Sequence, residues 1–191
     1  MLIELCKISP NKYEYQLNLA VTYRKINKPQ LAYETYLLAK KINDKDPILY
    51  FNIANLLFED LYKAQESIEN FLESLRLNPD NIECWINLSN VYIKIERFDL
   101  AQKTSEKVLL MDNMSFDGNA IQGFCLLSLG RPGDAKPFIE KALDIKYDRN
   151  ALKCLSVINH FLGKINDGIV NGIESDGAFL FYSDDRPYKL I

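Results

Sequence analysis

A small residue returns along this chain at a fixed interval. Ala32, Ser67, Ala101 and Ala135 stand 35, 34 and 34 residues apart. Four residues after each comes Tyr36, Phe71, Ser105 or Ile139, bulky in all but Ser105. Three further on come Ala39, Ser74, Val108 and Ala142. Steps of four and three keep the three positions on one face of a helix. Small side chains let two helices approach closely, and bulky ones fill the gap to the next unit. Such a period dictates stacked copies of one supersecondary unit, each burying its apolar face against the next.

Ile82 to Ser115, IECWINLSNVYIKIERFDLAQKTSEKVLLMDNMS, shows the unit best. Trp85, Leu88, Ser89 and Tyr92 mark one amphipathic helix. Ala101, Ser105 and Val108 mark a second, after a polar turn at Glu96 to Asp99. The unit resembles a tetratricopeptide repeat, a helix–turn–helix of about 34 residues. The resemblance implies an all-α fold, a right-handed α-solenoid of such repeats. They are placed at 13–46, 47–81, 82–115 and 116–149, with the extra residue of the second expected in its inter-helix turn near Glu59 to Leu61.

One period back from Asp44 lies Pro10, and Leu2, Leu5 and Ile8 then fall where a second helix buries its face. Residues 1–12 thus read as a half-repeat helix. Residues 150–162 read as a closing helix, with Leu152, Leu155, Ile158 and Leu162 on one face. The repeat domain therefore covers 1–162. Beyond it Gly168, Gly172 and Gly177 interrupt any long helix, and 163–191 form an irregular tail. Within that tail AFLFYS and YKLI read as short strands joined by the turn DDRP. Pro29 suits the first turn of a second helix. In GRPGDAKPF, Asp134 is the expected N-cap, which puts Pro137 at a position where its missing N–H costs little.

With 23 basic and 26 acidic residues and a net charge of −3, the chain lacks the basic stripe of a nucleic-acid or membrane-surface binder. No run of eighteen apolar residues is present, and MLIELCKISP lacks the parts of a signal peptide. Cys6, Cys84, Cys125 and Cys154 are far apart, without a CxxC pair. They read as buried thiols of a cytoplasmic protein rather than as disulfides or zinc ligands.

The first helices carry the candidate site. Asn18, Asn52 and Asn87 occupy one position in three successive repeats, and Asn55 and Asn90 form a second pair one turn along. Asparagine is a poor choice inside a helix, so three at one register need a reason. An amide offers both donor and acceptor, and a column of them can hydrogen-bond the main chain of an extended peptide. The same asparagines can instead bond a neighbouring helix. Further along come Ile86, Ile93, Ile121, Phe124, Leu127, Leu155 and Ile158. They read as an apolar groove for a partner segment, or as the seat of the chain's own AFLFY.

LNLA, FNIAN and INLSN resemble the repeats of the O-linked N-acetylglucosamine transferase family and its bacterial relatives. In that family an asparagine ladder holds substrate peptide. The resemblance implies that Asn18, Asn52 and Asn87 form such a ladder, while Ile121 departs from it. The 191 residues hold no glycosyltransferase domain, so no catalytic residue is carried over. Repeats that bind the C-termini of heat-shock chaperones use a clamp of lysines and an arginine. Its positions fall on Leu17, Val21, Glu83 and Asn87, and none is a cation.

No glycine loop for phosphate is found. His160 has no cysteine, serine or carboxylate at a catalytic spacing in the sequence, and Asp184, Asp185, Glu174 and Asp176 lie in a polar segment that reads as solvated. No cofactor, metal or catalytic residue is expected. The chain reads as a protein- or peptide-binding module. The alternatives are a substrate-recruiting segment of a larger enzyme such as a glycosyltransferase, or a secretion-type chaperone for an apolar client.

Overall fold

The computed structural model describes residues 4, 8–164 and 167, and the backbone of 180–183 and 186–189. The helices are, in chain order, α1 (Tyr13–Lys25), α2 (Pro29–Ile42), α3 (Pro47–Asn55), α4 (Ala64–Leu77), α5 (Ile82–Lys94), α6 (Phe98–Met111), α7 (Phe116–Ser128), α8 (Pro132–Ile145) and α9 (Arg149–Phe161). A π-helical segment, Leu56–Asp60, extends α3. Strands β1 (Leu180–Ser183) and β2 (Arg186–Lys189) pair antiparallel, Leu180 opposite Lys189 and Ser183 opposite Arg186. Arg186 and Pro187 therefore belong to β2, not to the expected turn.

The helix boundaries follow from local chemistry. Side-chain oxygens of Asp46, Asn81, Ser115 and Asp148 accept backbone N–H bonds at the starts of α3, α5, α7 and α9. Each turn out of a first helix passes through a left-handed residue: Asn27, Tyr62 and Glu96 at φ 56°, 56° and 59°, then Gly130 and Gly163 at 74° and 73°. The N–H of the next residue closes the turn on the carbonyl five back: Lys28 on Tyr23, Arg97 on Tyr92, Arg131 on Leu126 and Lys164 on Asn159, at 2.8–2.9 Å. α9 thus ends in the same turn as the first helices before it.

The chain divides into two compact units, Met1–Val91 and Tyr92–Ile191, and the division falls inside α5. In the first unit Ala20, Ala32, Tyr36, Ala39, Leu49, Ile53, Leu56 and Leu57 form the core. The small residues do what their period required: Ala54 and Ser67 are fully buried, and the Ser67 hydroxyl donates to the Ala54 carbonyl at 2.8 Å. The Tyr13 hydroxyl at the start of α1 donates to Asp46, the N-cap of α3, at 2.6 Å.

The extra residue of the second repeat sits inside the end of its first helix, not in the turn. One turn widens, and Leu61 N–H bonds the Leu56 carbonyl five residues back at 3.1 Å. This swings Glu59 and Asp60 together onto the Arg24 guanidinium. Ile8, expected to be buried, is 77% exposed, because no helix packs over it among the described residues. Leu2 and Leu5 lie outside the described residues.

In the second unit Leu126, Ala135, Ile139, Ala151 and Ile158 form the core. α8 begins at Pro132 and not after Asp134, so Pro137 lies in the helix interior. Asp134 is occupied in the first turn, where it pairs with Arg131 at 2.7 Å. Ser105, the small exception in the bulky column, meets a second exception. Gln122 holds the register of Leu19, Ile53 and Leu88, and the Ser105 hydroxyl donates to its Oε1 at 2.5 Å, both residues buried. Ser105→Ala is expected to cost about 1–3 kcal/mol, since it strands a buried amide oxygen. Adding Gln122→Leu should recover most of that loss. Urea unfolding midpoints of the two variants check this; equal losses would refute the pairing.

Candidate functional site

The five asparagines all lie in the first unit, on α1, α3 and α5. Asn18 is exposed, Asn52 half-buried, and neither amide has an internal hydrogen bond among the described residues. Asn87 is half-buried and differs: its Nδ2 donates to Asn55 Oδ1 at 2.9 Å. Asn55 itself is only 8% exposed. Asn90 holds the register of Asn55 one repeat on and is exposed. The register that reads as one row in sequence therefore contains two free amides and one that is held. The alternative that these asparagines bond a neighbouring helix thus holds for Asn87, through a bond between residues 32 apart on different repeats.

Phe51 stands one residue before Asn52 and packs edge-on against Phe71, centroids 6.1 Å apart. Charge near this face is matched within the unit: Arg24 is engaged by Asp60 at 2.6 Å and by Glu59. Burial disfavours the Arg24 cation, but these two carboxylates outweigh it and raise its pKa. The arginine thus stays charged and occupied.

The apolar positions separate on burial. Ile86, in the first unit, is half-buried. In the second, Ile93 is half-buried, and Phe124 is half-buried with its ring edge-on to Phe98 at 6.0 Å. Ile121 is 8% exposed and Ile158 fully buried, so both belong to the interior. Leu127 and Leu155 pack against the core of Leu126, Ala135 and Ile139. The segment AFLFY includes residues outside those described.

Reactive chemistry is muted. His160 is exposed beside the Phe161 ring. Among the described residues no group of three or more His, Cys, Asp or Glu is placed to hold a metal ion, and no helix is long and apolar enough to cross a membrane. Glu174, Asp176, Asp184 and Asp185 lie outside the described residues. Burial pushes the thiols of Cys84 and Cys154 up to about 11 and that of Cys125 up to about 12. Each pKa is raised, so the thiolate is scarce at mildly alkaline pH. In a Cys6→Ser, Cys154→Ser variant, which leaves only the buried Cys84 and Cys125, these thiols should react with Ellman's reagent only on unfolding; labelling at the rate of free cysteine in the folded state would contradict this.

Comparison with known proteins supplies the family. Residues 82–113 match the model of the tetratricopeptide repeat. A TPR repeat-containing protein of Methanocaldococcus jannaschii is 26% identical over 155 residues, which are 76% of this chain and 27% of that protein. A protein O-mannosyl-transferase of Homo sapiens is 20% identical over 158 residues, 75% of this chain and 17% of that one. The chain thus spans under a third of the length of either relative. The crystal structure of YrrB, described as a TPR protein with an unusual peptide-binding site, matches with a TM-score of 0.79 at 15% identity, covering 92% of both chains. That likeness carries the fold, an all-α helical-repeat solenoid. With the repeat at 82–113 and this fold together, the chain is a tetratricopeptide-repeat protein.

Proposed function

We propose that the chain is a cytoplasmic protein-interaction module that holds an extended segment of a partner along its first helices. Asn18, Asn52 and Asn87, with Asn90 beside them, hydrogen-bond the segment's main chain. Ile86, half-buried on α5, offers apolar contact there. The observation that supports this most is the repeated asparagine register, in which the Asn18 and Asn52 amides are left without an internal partner among the described residues. An amide held at one end by a helix and free at the other suits a peptide backbone, whose N–H and C=O alternate. YrrB, of the same fold, is described as having a peptide-binding site. A recruiting segment of a larger enzyme is the second reading, favoured by the match to a transferase of which this chain covers 17%. Neither reading assigns these residues a catalytic step.

The test is selection of peptides from a random display library by the wild-type chain, followed by titration against the Asn52→Ala, Asn87→Ala double variant. Circular dichroism first establishes that both are equally helical. Losing two net hydrogen bonds of about 1 kcal/mol each should weaken binding on the order of 30-fold. Equal affinity for the two proteins would remove the asparagines from the site.

A further inference from the structure

The hydrogen bond between Asn87 and Asn55 gives the two residues unequal roles. Asn55 is buried in the last turn of α3, at 8% exposure, and its Oδ1 takes an N–H of the half-buried Asn87 on α5 at 2.9 Å. A group so buried is a poor first contact for a ligand. Its effect is on Asn87. Anchoring one N–H fixes the plane of that amide and leaves its Oδ1 and its second N–H for anything outside. Among the described residues Asn18 and Asn52 have no such anchor, so their amides order on binding.

We infer that Asn55 is the positioning residue of the peptide site, fixing the Asn87 amide so that its oxygen accepts a main-chain N–H of the bound segment. This rests on the peptide-binding reading above. It also narrows the ligand. The residue of the segment facing Asn87 must keep its N–H, so proline is excluded at that one place. A proline scan of a bound peptide should find a single position of steep loss that depends on Asn87.

The experiment uses the tightest peptide that the wild-type chain selects from a random display library. Its affinity is measured by calorimetry for Asn55→Ala, Asn55→Asp, Asn87→Ala and the Asn55→Ala, Asn87→Ala pair. Asn55→Ala removes the acceptor and should weaken binding about three- to tenfold, the cost of ordering a freed side chain. Asn55→Asp keeps an acceptor oxygen and should restore affinity to near wild type. Because Asn55 acts only through Asn87, the pair should bind no more weakly than Asn87→Ala alone. Without any ligand, the Asn87 side-chain amide should lose its protection from hydrogen exchange in Asn55→Ala and keep it in Asn55→Asp. Additive losses in the pair, or failure of Asn55→Asp to rescue both readouts, overturn the positioning role while leaving the asparagine site intact. A library that yields no binder, or a binder indifferent to Asn87→Ala, overturns the peptide-binding reading and this role with it.

Discussion

Phe71→Ala is expected to lose about 3–5 kcal/mol of stability, the range for emptying a fully buried aromatic site. Phe71 has no exposed surface, and its ring edge meets Phe51 at 63°. The aromatic pair adds about 0.5–1.5 kcal/mol beyond the area it buries. The Phe71 carbonyl also receives the buried Cys84 Sγ at 3.6 Å, so backbone slack at the cavity reaches α5. In stacked repeats each unit is stabilised by its neighbours, and damage is felt locally before it is felt globally. Urea unfolding followed by helicity should therefore split into two transitions. Hydrogen exchange should show α3 and α4 losing protection first. A single transition shifted by less than about 1 kcal/mol would mean the site collapses around the missing ring.

The second large effect is in the other unit. Gly123 lies on α7 where it crosses α8, and a Cβ placed there would sit 2.5 Å from Ile139 Cγ1, 2.6 Å from its Cδ1 and 3.2 Å from the Ala135 carbonyl. None of these is the free end of a surface side chain. Gly123→Val is expected to cost about 3 kcal/mol, the upper part of the usual range for overpacking. Gly123→Ala should cost less, because alanine regains up to about 1 kcal/mol over glycine in a helix. The diagnostic is the pair Gly123→Val, Ile139→Ala. Removing Ile139 alone leaves a cavity, but the added valine enters that space, so the pair should lose well under the sum of its parts. Urea unfolding of the four proteins measures the coupling, and additive losses would show that the helices separate instead of colliding.

The repeat was legible because it rests on spacing and size alone. Ala32, Ser67, Ala101 and Ala135 are fully buried, as their interval required. What was not legible depends on partners far apart in sequence. Ser105 read as a defect in the bulky column, yet it is matched by Gln122, and neither residue announces the other. Pro137 was expected near a helix start because Asp134 reads as an N-cap; the helix instead begins at Pro132, and Asp134 pairs with Arg131 in its first turn. The extra residue was assigned to the turn because turns usually absorb insertions, and instead the helix end widened. In the candidate site, residue type and register pointed to a row of asparagines. That it is Asn55 that grips Asn87, while Asn18 and Asn52 have no internal partner among the described residues, depends on inter-repeat geometry that residue type and register do not encode.

The widened turn at Leu56–Asp60 bears on how such a chain can be lengthened or shortened. One residue added to a regular α-helix rotates everything beyond it by about 100° and would take the buried face out of line. Here the added residue is spent before Tyr62 begins the turn, and Ser67 still reaches Ala54. This insertion is thus absorbed at the end of a first helix without loss of phase. Deleting Phe58 should return the segment to an ordinary α-turn and leave the core in register. The casualty would be the grip of Glu59 and Asp60 on Arg24, a surface tie that exists only because the helix is one residue too long.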